Sequence, residues 1–442
     1  MSTNNAQEFS TDLLRLYYDR LFPYDQMFKW LSYGNDASAP PNTPFANVMD
    51  KQFFNQREWS FTIEDDIYIR YQNFKDKQEM IDAIKKRQPH KIDIGAVFSA
   101  PPKDHTTIRP ERFYPVEREL VFDIDMTDYD PVRTCCTGAN ICKRCWPFMT
   151  MALKCMDKAL REDFAYKHIL WIYSGRRGVH CWVNDKEARG LTNEARSAVV
   201  EYLSLEVEGK ETKLLRQVQS PLHPHLKRSY DILEPYFEKA ICDDDGQGLL
   251  AGKNYIHILN TIPDELDAVM RDLNAAIQDP ALGGAERWRI MKELMSPTGT
   301  QLGGKKRARI DYKKLEQWKY ALVFKYTYPR LDANVSKSMN HLLKSPFCVH
   351  PKTGRVCIPM DPAAADDFDP ITVPTVRTLC DEIDSYDRKN PDGANITTDT
   401  EKTAMKNAIE VFERTYMGPM MKDINAEFRD KQDQRDAVNV DF

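Results

Sequence analysis

In a chain of 442 residues, no apolar run reaches the ~18 residues that a membrane-spanning helix needs. The beginning of the chain also lacks a positive start followed by an apolar stretch, so no secretory signal is expected. Both absences predict a soluble, intracellular protein. No internal repeat is evident, which sets aside solenoids and propellers. An excess of positive charge is missing too. The net charge is -5, whereas a basic surface is the usual footprint of phosphate binding. Any contact with nucleic acid must therefore rest on local patches or on a partner. Asn395-Ile-Thr397 has the form of a glycosylation acceptor, but without a secretory signal it reads as part of a polar loop. The length exceeds one ordinary core and predicts two or three packed units.

What the chain does have is concentrated in a few segments. Glu119-Leu-Val-Phe-Asp123-Ile-Asp125-Met reads as a short buried strand ending in two acids. Successive side chains on a strand alternate, so Phe122 and Ile124 face one way while Val121, Asp123 and Asp125 face the other. Two neighbouring carboxylates repel unless something positive lies between them. Hard divalent ions such as Mg²⁺ or Mn²⁺ take such oxygen ligands and keep positions open for phosphate. The plainer alternative is a strand end whose acids solvate a turn.

A second apolar strand, His168-Ile-Leu-Trp-Ile-Tyr-Ser174, is followed by a turn from Gly175 to Gly178 and a third strand, Val179-His180-Cys181-Trp182-Val183. The turn holds Arg176 and Arg177 between two glycines. Arginine offers a fixed fork of donors for phosphate oxygens, and glycine lets backbone approach a ligand. A solvated turn and a satisfied core histidine would explain the same residues. Taken together, Ser174, Arg176, Arg177 and His180 cluster on one tip. Paired acids followed by a basic tip suit phosphoryl transfer from a nucleotide.

Of ten cysteines, four fall in the stretch Cys135-Cys136-x5-Cys142-x2-Cys145. Four thiolates so close together can close a tetrahedral shell around Zn²⁺, and an intracellular setting argues against disulfides. Free thiols in a loop are the alternative.

Arg118-Glu-Leu-Val-Phe-Asp-Ile-Asp-Met-Thr-Asp-Tyr-Asp130 and Tyr173-Ser-Gly-Arg-Arg-Gly-Val-His-Cys-Trp182 resemble signature motifs of the small catalytic subunit of eukaryotic DNA primase, in the archaeo-eukaryotic primase superfamily. Tyr328-Pro-Arg-Leu-Asp332-Ala-Asn-Val-Ser-Lys337 is similar to the third motif, and the block from His341 to Arg355 to a fourth. Leu16-Tyr-Tyr and Lys91-Ile-Asp-Ile-Gly-Ala96 extend the likeness over most of the chain. The resemblance implies a DNA-directed RNA polymerase, a nucleotidyltransferase that makes short RNA primers on single-stranded DNA for replication. It implies Asp123, Asp125 and Asp332 as ligands of two catalytic Mg²⁺ or Mn²⁺ ions. It implies nucleotide contacts from Ser174, Arg176, Arg177, His180, Lys344, His350 and Arg70, with Asp93 the candidate for the ribose 2′-hydroxyl. It assigns Cys135, Cys136, Cys142 and Cys145 to one structural Zn²⁺, bracing the loop between the acidic strand and the hairpin. The implied partners are a large primase subunit with an iron–sulfur cluster, DNA polymerase alpha, a single-stranded DNA template with its RNA–DNA hybrid, and ribonucleoside triphosphates. The implied location is the nucleus. Rival readings are a metal-dependent nuclease or phosphatase, a repair-type primase-polymerase, and an inert zinc-bearing interaction subunit.

The expected fold is α+β: a catalytic lobe of mixed sheets flanked by helices, a zinc-binding loop and an inserted helical lobe. The expected division is a core over 1–191, a helical insertion over 192–305, the rest of the core over 306–384, and a linker with a final helix over 385–442. Within it, residues 9–31 read as one amphipathic helix with Leu13, Leu16, Tyr17, Phe22 and Trp30 inward. Residues 35–47 form a Pro-rich loop, which looks like an insertion relative to the family. Strands are expected over 58–71 around Asp65-Asp66, and over 92–98. Helices are expected over 76–87 and 147–164. Thr192 is placed to cap a helix to Leu205, Pro235 to begin a turn, and Pro263 to start a further helix. Strand character returns over 319–332 and 346–359. Ser385 to Thr400 reads as a flexible linker and 401–416 as the last helix. The basic run Lys305-Lys-Arg-Ala-Arg309 reads as a solvated loop, with a nucleic-acid contact or an import signal as the alternatives.

Overall fold

Two antiparallel sheets frame the α+β fold of the computed structural model, which describes residues 9–207, 211–296, 311–391 and 398–440. The strands are β1 (Arg57–Thr62), β2 (Tyr68–Gln72), β3 (Lys91–Phe98), β4 (Pro115–Glu117), β5 (Leu120–Asp125), β6 (Ile169–Tyr173), β7 (Gly178–Val183), β8 (Leu343–Lys344) and β9 (Pro359–Met360). The first sheet runs β2-β1-β3-β4, with β8 also pairing to β3; the second runs β5-β7-β6-β9. Strands β8 and β9 thus complete sheets begun before the helical region; sheet assembly from both sides of that region is as the sequence suggests, but β8 lies outside the stretches expected to supply it.

Alternation along the second sheet sets its two faces. Leu120, Phe122 and Ile124 of β5 and Val179, Cys181 and Val183 of β7 pack with the helix Pro147–Glu162 and the helical region. Val121, Leu170, Ile172 and Trp182 point the other way, into a second core with Trp59, Phe61, Ile92 and Ile94 of the first sheet. By the same parity Asp123, Asp125 and His180 lie on the face that looks toward the first sheet. Beneath them a buried ionic cluster joins the two sheets. Glu119 accepts from Arg57 at 2.9 Å, Arg118 at 3.1 Å and Tyr33 at 2.7 Å. Burial alone would raise the Glu119 carboxyl, but Arg57 and Arg118 outweigh it and hold the group well below the usual range.

Several expectations are corrected. The helix over 9–31 is two, Thr11–Arg20 and Tyr24–Ser32. The break falls at Pro23, which has no N–H to continue the ladder. Residues 319–332 do not form a strand: Tyr312–Thr327 is a helix, its first turn capped by Asp311 accepting from Lys313 and Lys314 at 3.1 Å. Tyr320, Ala321, Leu322, Val323 and Phe324 are all buried there, and a continuous apolar run does not distinguish a buried strand from a buried helix. Over 346–359 strand character shrinks to two isolated bridges, Val349–Val356 and Arg355–Thr375, and the start of β9. The helix Val376–Lys389 runs into the supposed linker, of which residues 392–397 lie outside the described residues. Pro235 lies inside the helix Pro224–Tyr236 and not at a turn. The last helix is longer than expected: Met405–Phe412 continues through a wide turn into Gly418–Val440. The basic run 305–309 also lies outside the described residues. Among those residues no helix is long and apolar enough to cross a membrane.

Candidate active site

Cross-strand register brings the site together. Asp123 on β5 stands directly opposite His180 on β7, and Asp125 opposite Gly178. His180 Nε2 lies 3.6 Å from Asp123 Oδ1. Asp332 arrives from far along the chain, and its backbone N–H donates to the Asp123 carbonyl at 3.1 Å. Its side chain caps the short helix Ala333–Lys337 by accepting from Asn334. The structure therefore gathers all three acids named from sequence.

Burial and crowding act together on these acids. The Asp123 carboxyl is raised to about 7 by burial and by the nearby Asp125, Asp332 and Asp128, with Lys344 opposing. Asp125 moves the other way. Burial raises it, but Arg177 and Thr127 outweigh burial and lower it. Arg177 Nε lies 2.7 and 2.9 Å from the two Asp125 oxygens, while Thr127 donates through its backbone N–H at 2.8 Å and its hydroxyl at 2.7 Å. Arg177, matched above to triphosphate, is thus held by the nearest carboxylate. The three acids are an all-oxygen donor set of the kind hard divalent cations prefer, and Asp123 has its charge held back first by burial and then by its acidic neighbours.

The tip of the β6–β7 hairpin is shaped by two glycines. Gly175 adopts φ +85°, and a Cβ there would lie 2.8 Å from His350 Cβ. A Cβ on Gly178 would lie 2.4 Å from the Ile124 carbonyl oxygen. Ser174 spends its hydroxyl within the turn, accepting from the Gly178 N–H at 3.0 Å, and its carbonyl accepts from Lys344. That last bond joins the two sheets at the site, because Lys344 on β8 pairs with Asp93 on β3. His180 and His350 are both pushed down to about 3, by burial first and then by Lys344. Both rings are therefore neutral donors or acceptors at working pH. Arg176 is half-buried beside His350, and its positive charge helps hold that ring neutral.

Arg70 and Asp93 lie on the first sheet, each with a partner that sequence reading missed. Arg70 donates to Glu58 at 3.0 and 3.1 Å. Asp93 is buried, faces Ser60 across β1–β3, and has Lys91 Nζ at 3.0 Å. Glu58 and Ser60 are buried polar residues alternating with Trp59 and Phe61 on β1. A charged residue on an otherwise buried strand was the available signal.

The four cysteines also converge. Their sulfur atoms lie within 4.8 Å of one another, and Cys142 and Cys145 Sγ are 3.9 Å apart. Two thiolates bound to one zinc ion at about 2.3 Å stand roughly 3.8 Å apart, so the group fits a metal such as zinc. Gln247 donates to Cys135 Sγ at 3.5 Å and the Cys142 N–H to Cys145 Sγ at 3.2 Å. Besides joining strand to hairpin, this loop is fastened to the helical region: Thr134 N–H donates to Gln247 at 2.7 Å, and Arg144 donates to the Gly246 carbonyl at 2.8 Å.

The family model described as DNA primase small subunit matches residues 122–362, which include the acids of β5, the hairpin, the cysteine loop and Asp332. The DNA primase small subunit of Drosophila melanogaster is 41% identical over 417 residues, spanning 92% of this chain and 90% of that protein. The Schizosaccharomyces pombe protein of the same name is 39% identical, spanning 89% of this chain and 82% of its own. That of Saccharomyces cerevisiae is 33% identical, with 98% of each chain covered. With the motifs gathered at one site and relatives matching nearly end to end, the chain belongs to the DNA primase small subunit family.

Proposed function

We propose that this protein is a DNA-directed RNA polymerase that starts short RNA strands on single-stranded DNA for replication, using ribonucleoside triphosphates. The observation that carries the reading is the convergence of Asp123, Asp125 and Asp332 beside the basic hairpin tip. The three carboxylates are the residues to hold two divalent ions, Mg²⁺ or Mn²⁺. When bound, such ions activate the attacking 3′-hydroxyl and neutralise charge on the leaving pyrophosphate. Arg176, Arg177 and Lys344 supply positive charge for the triphosphate, His180 and His350 supply uncharged polar contacts, and Ser174, whose oxygen accepts from Gly178, keeps its hydroxyl proton to donate. With a divalent cation on the carboxylates, Arg177 would be free to leave Asp125 and hold phosphate. Arg70 and Asp93 line the ribose end, Asp93 accepting from the 2′-hydroxyl. The cysteine loop holds one structural Zn²⁺, since protein fills all four positions.

Holding two nucleotides before any duplex exists demands more surface than an acidic chain of this size offers. The relatives' name, small subunit, fits a complex with a large subunit. We assign to that partner the iron–sulfur cluster and help with initiation, with DNA polymerase alpha in the larger nuclear assembly. The division of the chain at residues 191, 305 and 384 remains part of the same reading. The test is synthesis on single-stranded DNA with labelled ribonucleotides, Mn²⁺ or Mg²⁺ and no primer. Labelled short RNA is expected from the wild type and none from Asp125→Ala. Product only from deoxynucleotides, or only by extending a supplied primer, would favour a repair-type polymerase.

A further inference from the structure

We infer that His225, on the helix Pro224–Tyr236, is a positioning residue for Asp332, acting through the hydroxyl of Tyr328; the inference rests on the metal-site reading above. Tyr328 follows the helix Tyr312–Thr327 directly and stands at the head of the segment that ends in Asp332. Its ring is buried, and its hydroxyl meets two groups: the Leu203 carbonyl at 3.0 Å and His225 Nε2 at 3.0 Å. A carbonyl only accepts, so the phenol proton belongs to Leu203 and His225 Nε2 carries the proton it donates to Tyr328. The other ring nitrogen is fixed as well. Nδ1 lies 3.1 Å from Asp163 Oδ2 and 3.3 Å from Arg228, which is itself paired with Asp163. With Nε2 protonated, Nδ1 accepts from Arg228, so the buried imidazole is held at both ends by a network that reaches the surface at Asp163 and Arg228.

The consequence runs along five residues. Beyond Tyr328, the Arg330 N–H donates to Tyr129 at 3.1 Å, the Arg330 guanidinium donates to the Asp128 carbonyl at 2.7 Å, and the Asp332 N–H donates to the Asp123 carbonyl at 3.1 Å. One end of the segment is thus tied to the helices through Leu203 and His225, and the other to the acidic strand. Removing the Tyr328 hydroxyl leaves a buried carbonyl and a buried ring N–H without partners, which the structure relieves by moving the helix end. Asp332 moves with it. Outer partners of metal ligands typically carry about 10- to 100-fold in metal affinity, and a contact this far from the ligand belongs at the lower end.

The experiment uses the full chain as wild type, Tyr328→Phe, His225→Ala and His225→Gln, with Asp332→Asn as control. Mn²⁺ binding is titrated by its electron paramagnetic resonance signal with an unreactive triphosphate present, and extension of a primed template is measured against Mn²⁺ concentration. Tyr328→Phe and His225→Ala should each bind Mn²⁺ about tenfold more weakly, with most of the maximal rate recovered at high Mn²⁺. His225→Gln, whose amide can still donate to Tyr328, should return toward wild type. A merely structural role would lower the active fraction without moving the Mn²⁺ midpoint. Wild-type Mn²⁺ affinity in folded Tyr328→Phe, or a rate loss that Mn²⁺ does not recover, overturns the inference. Wild-type Mn²⁺ binding by Asp332→Asn is a different result: it overturns the metal site itself, and this inference with it.

Discussion

The Asp123 carboxyl sits among other acids and lies far from its ordinary value, at about 7. Because the folded value is raised above the unfolded one, its contribution to stability is fully present below pH ~4 and is lost as pH rises through about 7. Above that the ionised cluster opposes folding. Without added Mg²⁺ or Mn²⁺, Asp123→Asn should therefore melt higher than wild type at pH 8, reflecting a gain on the order of 1–2 kcal/mol in stability after allowance for solvent screening. The gain should shrink as pH falls and vanish only below pH ~4, and it should also vanish when Mn²⁺ is added to the wild type at pH 8. Thermal unfolding across that pH range checks the sign. Arg177 gives a second prediction at this scale. On the proposed reading its charge meets the triphosphate before as well as during reaction, so Arg177→Ala should raise the ribonucleotide KM strongly with a smaller effect at saturation. Asp332→Ala should be inactive even at high nucleotide. A nucleotide titration on a primed template separates them, and an unchanged KM in Arg177→Ala would make the hairpin tip a structural turn.

Elements, not single residues, explain why the tip can exist. Gly178 faces Asp125 across the β5–β7 ladder, and the space where a Cβ would stand is filled by the Ile124 carbonyl at 2.4 Å. Gly178→Ala must push the two strands apart at Asp125, two residues from the point where Asp123 and His180 face each other. The expected cost is about 2–3 kcal/mol of stability, as for overpacking in a close-packed interior, and it should come with loss of synthesis. Denaturant unfolding read beside activity measures both. By contrast, Gly138 has φ +58° and open space around it. Alanine there meets only backbone strain of about 1 kcal/mol and should leave catalysis intact.

For the whole molecule, the cysteine loop matters because it spans two regions. It hangs between the end of β5 and the helix Pro147–Glu162, yet its bonds reach Gly246 and Gln247 of the helical region. Metal analysis should find about one Zn²⁺ per chain, the number that four thiolates in one tetrahedral shell can hold. Cys142→Ser should lower thermal stability and solubility more than it lowers turnover in the protein that stays folded. Limited proteolysis should then cut first near residues 133–147 and 243–250. Zinc-free protein of unchanged stability would contradict this account.

Much of the site was legible in sequence because its motifs are local. Strand alternation alone put Asp123 and Asp125 on one face, and a turn flanked by glycines marked the basic tip. The fold class, and the return of some late strands to the earlier sheets, also followed from the order of strand-like and helix-like segments, but β8 lies outside both stretches expected to supply them and β9 only touches the end of one. What the sequence could not give were contacts between distant segments. Glu58 beneath Arg70, Lys91 beside Asp93, Arg177 turned onto Asp125, and His225 behind Tyr328 all depend on which surfaces meet after packing. The segment Tyr320–Phe324 shows the limit most directly: a run buried on every side carries no period, and only the neighbours around it decided helix over strand.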